Sequence, residues 1–319
     1  MIYVILFLLS FILTLLIKKI SVKKSLIDIP NSRSSHNTPT PHGGGIAIAV
    51  TWFVGISYLF YIGDINSSLY FALFTGVIIS TVSYIDDLYE LSAKLRLLVQ
   101  TLVAFLGLYF LGGLEKIDLI FVTIDNQILT NVFAFFMIVW FVNLYNFLDG
   151  IDGYAGSEAV FLGVAGFLLF GGSHFVVFCV AVLGFLVWNW HKAKIFMGDV
   201  GSTLLGYNIA IYAIYYANDG TSILVWIILF GVFWFDATLT LWRRYKNGDI
   251  LSQAHKKHAY QRLVQSGWTH DRVVVFSILI NIMLLSLVYF IPNTLLALFI
   301  SLLLLYVVIR FIDRRKAFS

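Results

Sequence analysis

Charge is what this sequence has least of. Asp, Glu, Lys and Arg together make up 12% of the 319 residues, where soluble domains carry about 25%, and that scarcity excludes a solvated surface around most of the chain. Cysteine is nearly absent. The one thiol, Cys179, sits inside an apolar run, which excludes a disulfide framework and any cysteine-based metal centre. Of four prolines, three lie between residues 28 and 45, so strong helix breakers are confined almost entirely to one loop. The net charge of +4 follows the ends of apolar runs, a distribution that excludes a nucleic-acid partner. What remains is apolar. Hydrophobic residues account for 60% of the chain and aromatics for 17%, and the mean hydropathy is +0.90. These values describe an all-α polytopic integral membrane protein whose solvent is the lipid bilayer.

Eleven transmembrane helices are predicted, near residues 2–17, 46–62, 69–85, 97–112, 128–145, 157–171, 174–190, 201–217, 222–242, 273–291 and 294–310. They leave no room for a soluble domain, so residues 1–319 read as a single membrane-embedded domain. No positive charge precedes the first run and no small-residue cleavage site marks it, so it is expected to be a retained span. Alternation from an outer N-terminus places 18–45, 86–96, 146–156, 191–200, 243–272 and 311–319 on one side. With Arg310 at its boundary, that side holds every Lys and Arg except Lys116, which makes it the cytoplasmic side, C-terminus included. The opposite loops are short, except around residues 115–127, where alternating residues predict a small β-hairpin.

The polar chemistry gathers on the basic side. Residues 143–153, N-L-Y-N-F-L-D-G-I-D-G, end a very apolar run and space Asn143, Asn146, Asp149 and Asp152 three apart. If the helix runs through them, all four share one side of it. A capped helix end needs one such group, and carboxylates at the edge of hydrocarbon are costly enough to imply function. The first loop, D-I-P-N-S-R-S-S-H-N-T-P-T-P-H-G-G-G, is not helical. Gly43, Gly44 and Gly45 permit close backbone approach, and with Arg33, His36 and His42 they suit a phosphate; a flexible linker is the bland alternative.

In Y-I-D-D-L-Y-E-L-S-A-K-L-R, Asp86 and Asp87 are neighbours. On a helix they splay about 100° apart, one free to face a metal or phosphate and one to act as a base, unless they only cap a helix. Lys94, Arg96 and Gln100 follow on a turn suited to lipid head-groups. In W-N-W-H-K-A-K-I-F-M-G-D-V-G-S-T, Asp199 stands where a span begins, favoured there by the helix dipole, and at the depth of Asp149 and Asp152. Hard oxygen ligands point to Mg2+ or Mn2+ bridging substrate phosphates, and Phe196 offers a face for a base. In A-H-K-K-H-A-Y-Q-R-L, His255 and His258 lie one helical turn apart among Lys256, Lys257 and Arg262. Zinc would need a third ligand that the local sequence lacks; a membrane-surface helix and a phosphate clamp are the other readings. Asp236 is the deepest acid and is expected to pair with a nearby base. An ion-coupled transporter, the alternative class, should carry midplane charges on repeated helices; the sequence offers no convincing repeat.

These segments, in this order and on one side of the membrane, resemble the polyprenyl-phosphate N-acetylhexosamine-1-phosphate transferases. The resemblance rests on R-S-S-H-N-T-P-T-P-H-G-G-G, D-D-L-Y-E-L-S-A-K-L-R, N-L-Y-N-F-L-D-G-I-D-G and F-M-G-D-V-G-S, then Asp236, Arg243, Arg244 and the histidine loop, and spans most of the chain. It implies ten or eleven helices, a periplasmic N-terminus and periplasmic hairpin, and a site facing the cytoplasm from the bacterial inner membrane. It also implies Mg2+ dependence and transfer of a sugar 1-phosphate from a UDP-HexNAc to undecaprenyl phosphate, releasing UMP, to initiate O-antigen or another cell-surface polysaccharide. By motif, Asp199 resembles the Mg2+ ligand, and Asp86 and Asp87 the pair beside the lipid phosphate. Asn189, Phe196, Asp149 and Asp152, with Asn143 and Asn146 beside them, are similar to the nucleotide-contacting set. His255, His258 and Arg262 resemble the loop that meets pyrophosphate or sugar. The N-acetylglucosamine branch usually carries a tighter histidine triplet. The spacing here is closer to O-antigen initiators that use UDP-FucNAc or UDP-QuiNAc, with UDP-GlcNAc still open. Peptide-recognition features are not evident, which argues against a muramyl-pentapeptide donor. D-G-I-D-G-Y-A-G also opens like the CDP-alcohol phosphotransferase signature, but the A-R and later aspartates of that signature do not follow. Whether the chain works as a homodimer is left open by the residues.

Overall fold

The computed structural model describes residues 1–30, 35–36, 38–119, 122–251, 253 and 255–318; Arg33 lies outside them. In chain order the elements are α1 (Ile2–Lys23), β1 (Ile27–Asp28), β2 (Thr40–Pro41), α2 (Gly45–Tyr61), α3 (Ser67–Phe74), α4 (Gly76–Tyr89), α5 (Ala93–Leu111), β3 (Ile117–Asp118), β4 (Thr123–Ile124) and α6 (Gln127–Leu148). They continue as α7 (Tyr154–Phe170), α8 (Ser173–Asn189), α9 (Asp199–Asn218), α10 (Leu224–Leu229), α11 (Gly231–Lys246), α12 (Ala259–Gln265), α13 (His270–Phe290) and α14 (Thr294–Arg315).

Several helix starts are fixed by local chemistry. Side-chain oxygens of Asn66, Ser92, Asn126 and Asn293 accept from the first free N–H groups of α3, α5, α6 and α14, which a helix cannot satisfy internally. Six segments are long and apolar enough to cross a membrane: α1, the stretch from α3 through α4, α5, α6, α13 and α14. Three shorter apolar helices, α2, α7 and α8, accompany them. This is a polytopic membrane protein.

Two predicted spans are not continuous. The one expected over 69–85 breaks at Thr75, between α3 and α4. Thr75 Oγ1 donates to the Ala72 carbonyl at 2.7 Å and meets the Tyr207 hydroxyl, so polar groups inside the bundle hold the break. The one expected over 222–242 divides at Phe230 into α10 and α11. A hairpin forms where alternation places it: β3 pairs antiparallel with β4, Ile117 opposite Ile124. A second pair, β1 with β2, sets Ile27 opposite Pro41 and gives the proline-rich loop an order that its composition conceals.

The bundle is built around α9. That helix is apolar on all sides and buried along nearly its whole length, as expected of a helix with neighbours all round. α6 and α4 pack along it, joined by α2, while α8 lies against α1, α7 and α2. The result sets the first residue of α9, Asp199, at the end of the molecule where the basic loops meet.

Candidate active site

Two cavities open side by side at that end. One, of about 500 Å³, is lined on its apolar side by Ile79, Val82, Leu97 and Val99 and on its polar side by Asp86, Arg96, Asn143, Arg244, His255 and His258. The other, of about 630 Å³, is bounded by Asp28, His36, His42, Asp87, Asp149, Asp152, Asn189, Phe196 and His270. Asn146, Asp199 and Gln261 belong to both and form the partition.

The partition is held from several elements. Asn146 Nδ2, on α6, donates to Asp199 Oδ1 at 2.8 Å and to Ser202 Oγ at 3.0 Å. Thr203 Oγ1 donates to the Asp199 carbonyl at 2.7 Å and meets Ser83 Oγ of α4 at 2.9 Å. The first and fourth loops are bound backbone to backbone. Gly44 and Gly45 N–H donate to the Phe196 and Met197 carbonyls at 2.9 and 2.8 Å, and Phe196 N–H donates to the Pro41 carbonyl at 2.8 Å. Two of the three glycine N–H groups that the sequence suggests for an anion are therefore spent on chain. What the glycines permit is proximity: Gly45 lies directly on the backbone of Gly201.

Asp86 and Asp87 separate as their spacing predicts. Asp86 faces the first cavity, where its Oδ1 accepts from Leu91 N–H at 2.6 Å and its Oδ2 lies 3.4 Å from Arg96. Asp87 faces the second. Its Oδ1 accepts from Asp199 N–H at 3.4 Å, and its Oδ2 is buried with no hydrogen-bond partner among the described residues. Gly198, at φ +76°, gives the chain the left-handed turn that starts α9; a Cβ there would fall 3.0 Å from that orphaned oxygen.

An unpaired buried carboxylate oxygen beside two further acids is costly unless a cation offsets it. Asp149 registers the same crowding: burial, then Asp199, Asp87 and Asp152, push its carboxyl up to about 7. Asp199 and Asp87 offer hard oxygens of the kind that suit a divalent ion. The donor set fits Mg2+ or Mn2+.

Other predicted residues divide by role. Asn143 and Asn146 lie on α6, but the helix ends at Leu148, with Asp149 as its C-cap. Asp149 and Asp152 thus sit in a loop and not on a shared helical face; Gly153, at φ +73°, completes the turn. Asn143 Nδ2 donates to Gln100 Oε1 at 2.8 Å, tying α6 to α5. Asn189 is buried and works as a latch, accepting from Gly153 N–H and donating to the Ile195 carbonyl, both at 3.0 Å. Phe196 lies at the second cavity with His36 edge-on, ring centroids 4.9 Å apart.

In the histidine loop, burial, then His258 and Arg244, drive His255 down to about 4, so it is neutral at pH 7. His258 is buried with its Nδ1 3.7 Å from Asp236 Oδ1. Asp236 also accepts from Ala259 N–H at 2.8 Å and from Thr240 at 3.0 Å, so its basic partner is a histidine and not Arg243 or Arg244. Arg262 is the clearest departure. Its guanidinium donates to Asp313 at 2.7 Å and to the Lys316 carbonyl at 2.9 Å; it lines neither cavity. Asp313 lies far along the sequence in α14, so no local pattern marks the pair.

Gln261, Arg244 as a clamp, and His270 are cavity residues whose roles the sequence does not disclose. Arg244 donates to the carbonyls of Ile250, Leu251 and Gln253, shaping the loop over the first cavity. The Asp152 N–H donates to Nδ1 of His270, the first residue of α13, at 3.3 Å, and the Asp152 carboxylate lies 3.1 Å from both His270 Nδ1 and His191 Nδ1. His191 stands two residues from Asn189 in an already conspicuous loop, and that adjacency is the signal that would have found it. Burial works to raise the Asp152 carboxyl, yet His270, the Ala193 N–H and His191 together hold it below the usual range.

The profile of glycosyl transferase family 4 matches residues 69–217. A probable undecaprenyl-phosphate N-acetylglucosaminyl 1-phosphate transferase of Bacillus subtilis (strain 168) is 33% identical over 289 residues, 85% of this chain and 78% of that protein. Undecaprenyl-phosphate alpha-N-acetylglucosaminyl 1-phosphate transferases of Escherichia coli O157:H7 and Yersinia pestis are each 28% identical. They cover 91% and 96% of this chain, and 84% and 89% of their own lengths. With a partitioned double cavity at the loop end of an apolar bundle, and relatives matched along most of its length, the chain belongs to glycosyl transferase family 4, among the undecaprenyl-phosphate N-acetylhexosaminyl-1-phosphate transferases.

Proposed function

We propose that this protein transfers a HexNAc 1-phosphate from a UDP-sugar to undecaprenyl phosphate, releasing UMP and starting a cell-surface polysaccharide such as an O-antigen. The observation that carries this reading is the shared wall of Asn146, Asp199 and Gln261 between two unlike cavities. The first, with an apolar flank and Arg96 near Asp86, suits a phosphate on a lipid chain. The second, with Phe196 and a set of polar groups, suits a nucleotide. Two anionic phosphates brought to either side of one partition can react across it.

In the reaction, an oxygen of the lipid phosphate bonds to the β-phosphorus of the UDP-sugar while the bond to the bridging oxygen breaks, and that oxygen leaves on UMP. A phosphate oxygen is already nucleophilic near neutral pH, so this chain's main task is positioning. Asp199, with Asp87, would hold Mg2+, which when bound offsets charge on both phosphates and on departing UMP. Asn146 fixes the Asp199 carboxylate. Arg96 and Arg244 supply the positive charge lining the first cavity, because His255 is neutral. A single in-line displacement needs no enzyme nucleophile; a covalent aspartyl route through Asp86 or Asp87 is the rival.

Eleven crossings, in this reading, come from the apolar runs, and the one-sided distribution of Lys and Arg supports a site on the cytoplasmic face of a bacterial inner membrane. The test is purified protein with undecaprenyl phosphate and Mg2+, challenged with UDP-GlcNAc, UDP-QuiNAc and UDP-FucNAc while UMP release is followed. Radiolabelled sugar should appear in the lipid fraction. Substrate crossing sealed liposomes without labelled lipid would instead favour the transporter reading.

A further inference from the structure

We propose that Asp152, His191 and His270 form a second cation site, suited to a zinc-class divalent metal and distinct from the oxygen-lined position at Asp199. The proposal does not rest on the transferase reading. Asp152 Oδ2 lies 3.1 Å from His191 Nδ1 and 3.1 Å from His270 Nδ1, and the three ligand atoms all fall within 4.8 Å of one another. Four ligands at about 2.0 Å around a tetrahedral ion lie roughly 3.3 Å apart, so these separations suit a shared ion with little movement. Among the described residues this is the one such group of three.

The hydrogen bonding of His270 supplies a second, independent observation. Its Nε2 lies 3.1 Å from the Ser35 carbonyl oxygen. A carbonyl only accepts, so Nε2 carries the hydrogen. Its Nδ1 faces Asp152 Oδ2 at 3.1 Å, so one ring nitrogen is anchored on the backbone while the other is presented to the cluster. The Asp152 N–H reaches the same nitrogen only at 3.3 Å. A metal-ligating histidine shows this pattern, with one nitrogen on the ion and the other N–H on a backbone carbonyl. Two imidazoles and one carboxylate select a borderline metal such as zinc over Mg2+, and they leave a fourth position for water or a ligand. Asp152 and His191 stand 39 residues apart, and Asp152 and His270 118 apart. One ion would clip three distant segments at the edge of the second cavity.

The experiment strips the full-length protein with chelator and titrates it with Co2+, following visible absorption of a tetrahedral ion and, by mass spectrometry, metal per chain. With about a 100-fold excess of Mg2+ present to fill the oxygen-lined position, wild type should bind one Co2+ per chain, displaced by Zn2+. Asp152→Asn, His191→Gln and His270→Gln should each weaken binding by at least about 10-fold. His191 is the most accessible of the three, so His191→Gln carries the test where the buried variants fold poorly. Zn2+ should also raise the melting temperature of wild type and leave that of His191→Gln unchanged. Absence of bound Co2+ in wild type, or equal binding by a folded His191→Gln protein, overturns the site and leaves a triad joined by protons alone.

Discussion

The backbone N–H of Asp199 points at Asp87 Oδ1, 3.4 Å away, and leaves the other oxygen of Asp87 buried without a partner. Two acids separated by 112 residues thus meet at one corner of the partition, where negative charge exceeds what the chain itself neutralises.

Asp199→Asn should reduce Mg2+-dependent turnover by at least about 10²-fold, the scale of losing one principal charge-stabilising group, with the fold intact. UMP release measured across a Mg2+ titration tests this. Turnover near wild type with the same Mg2+ dependence would remove the metal role from Asp199.

Asn146→Ala removes the amide that donates to Asp199 at 2.8 Å. A hydrogen bond to a charged group contributes about 1.5–3 kcal/mol, so the apparent Mg2+ affinity should fall about 10- to 100-fold while turnover at saturating Mg2+ changes less. A loss of turnover unaffected by added Mg2+ would assign Asn146 to substrate instead.

Asp149 gives a pH dependence with a definite sign. Its carboxyl titrates near 3.8 when unfolded and near 7 when folded. Between those values the folded chain binds the extra proton, so stability falls as pH rises. In chelator-treated protein, Asp149→Asn should raise the melting temperature by several degrees at pH 8. The advantage should shrink through pH 7 to 5 and be gone near pH 4. Thermal scans at these pH values test it, and a constant difference at all of them would contradict it.

Arg262→Ala should lower stability by about 1.5–3 kcal/mol, the loss of a charged hydrogen bond to Asp313, and leave the KM for the UDP-sugar unchanged. A rise in KM with unchanged melting would restore the substrate-contacting role that the sequence pattern suggests for this arginine.

The two displacement routes separate without lipid. One-step transfer predicts no exchange of labelled UMP into UDP-sugar by wild type, Asp86→Asn or Asp87→Asn. Exchange by any of them in the absence of undecaprenyl phosphate would support the covalent aspartyl route.

The architecture is legible in the sequence where one physical rule dominates. Apolar runs mark the helices, and the one-sided basic residues mark the loops that meet at the cavities. Adjacency alone shows that Asp86 and Asp87 must part, and they do. Pairings across distant loops are not legible. Arg262 looks like a phosphate ligand until Asp313, 51 residues away, claims its guanidinium. Asp149 and Asp152 look helical because their spacing is three, but the glycine-rich turn after Leu148 overrides the period. The breaks at Thr75 and Phe230 are hidden because the flanking residues on both sides are equally apolar.

The contact of Gly45 with Gly201 sets the starts of α2 and α9 so close that neither position has space for a methyl group. The placement of Asp199 therefore depends on two residues that carry no functional group. Alanine at either would act as a wedge, prising the two helix origins apart and carrying the acid out of register with α6, an injury to function in which every reactive atom is still present.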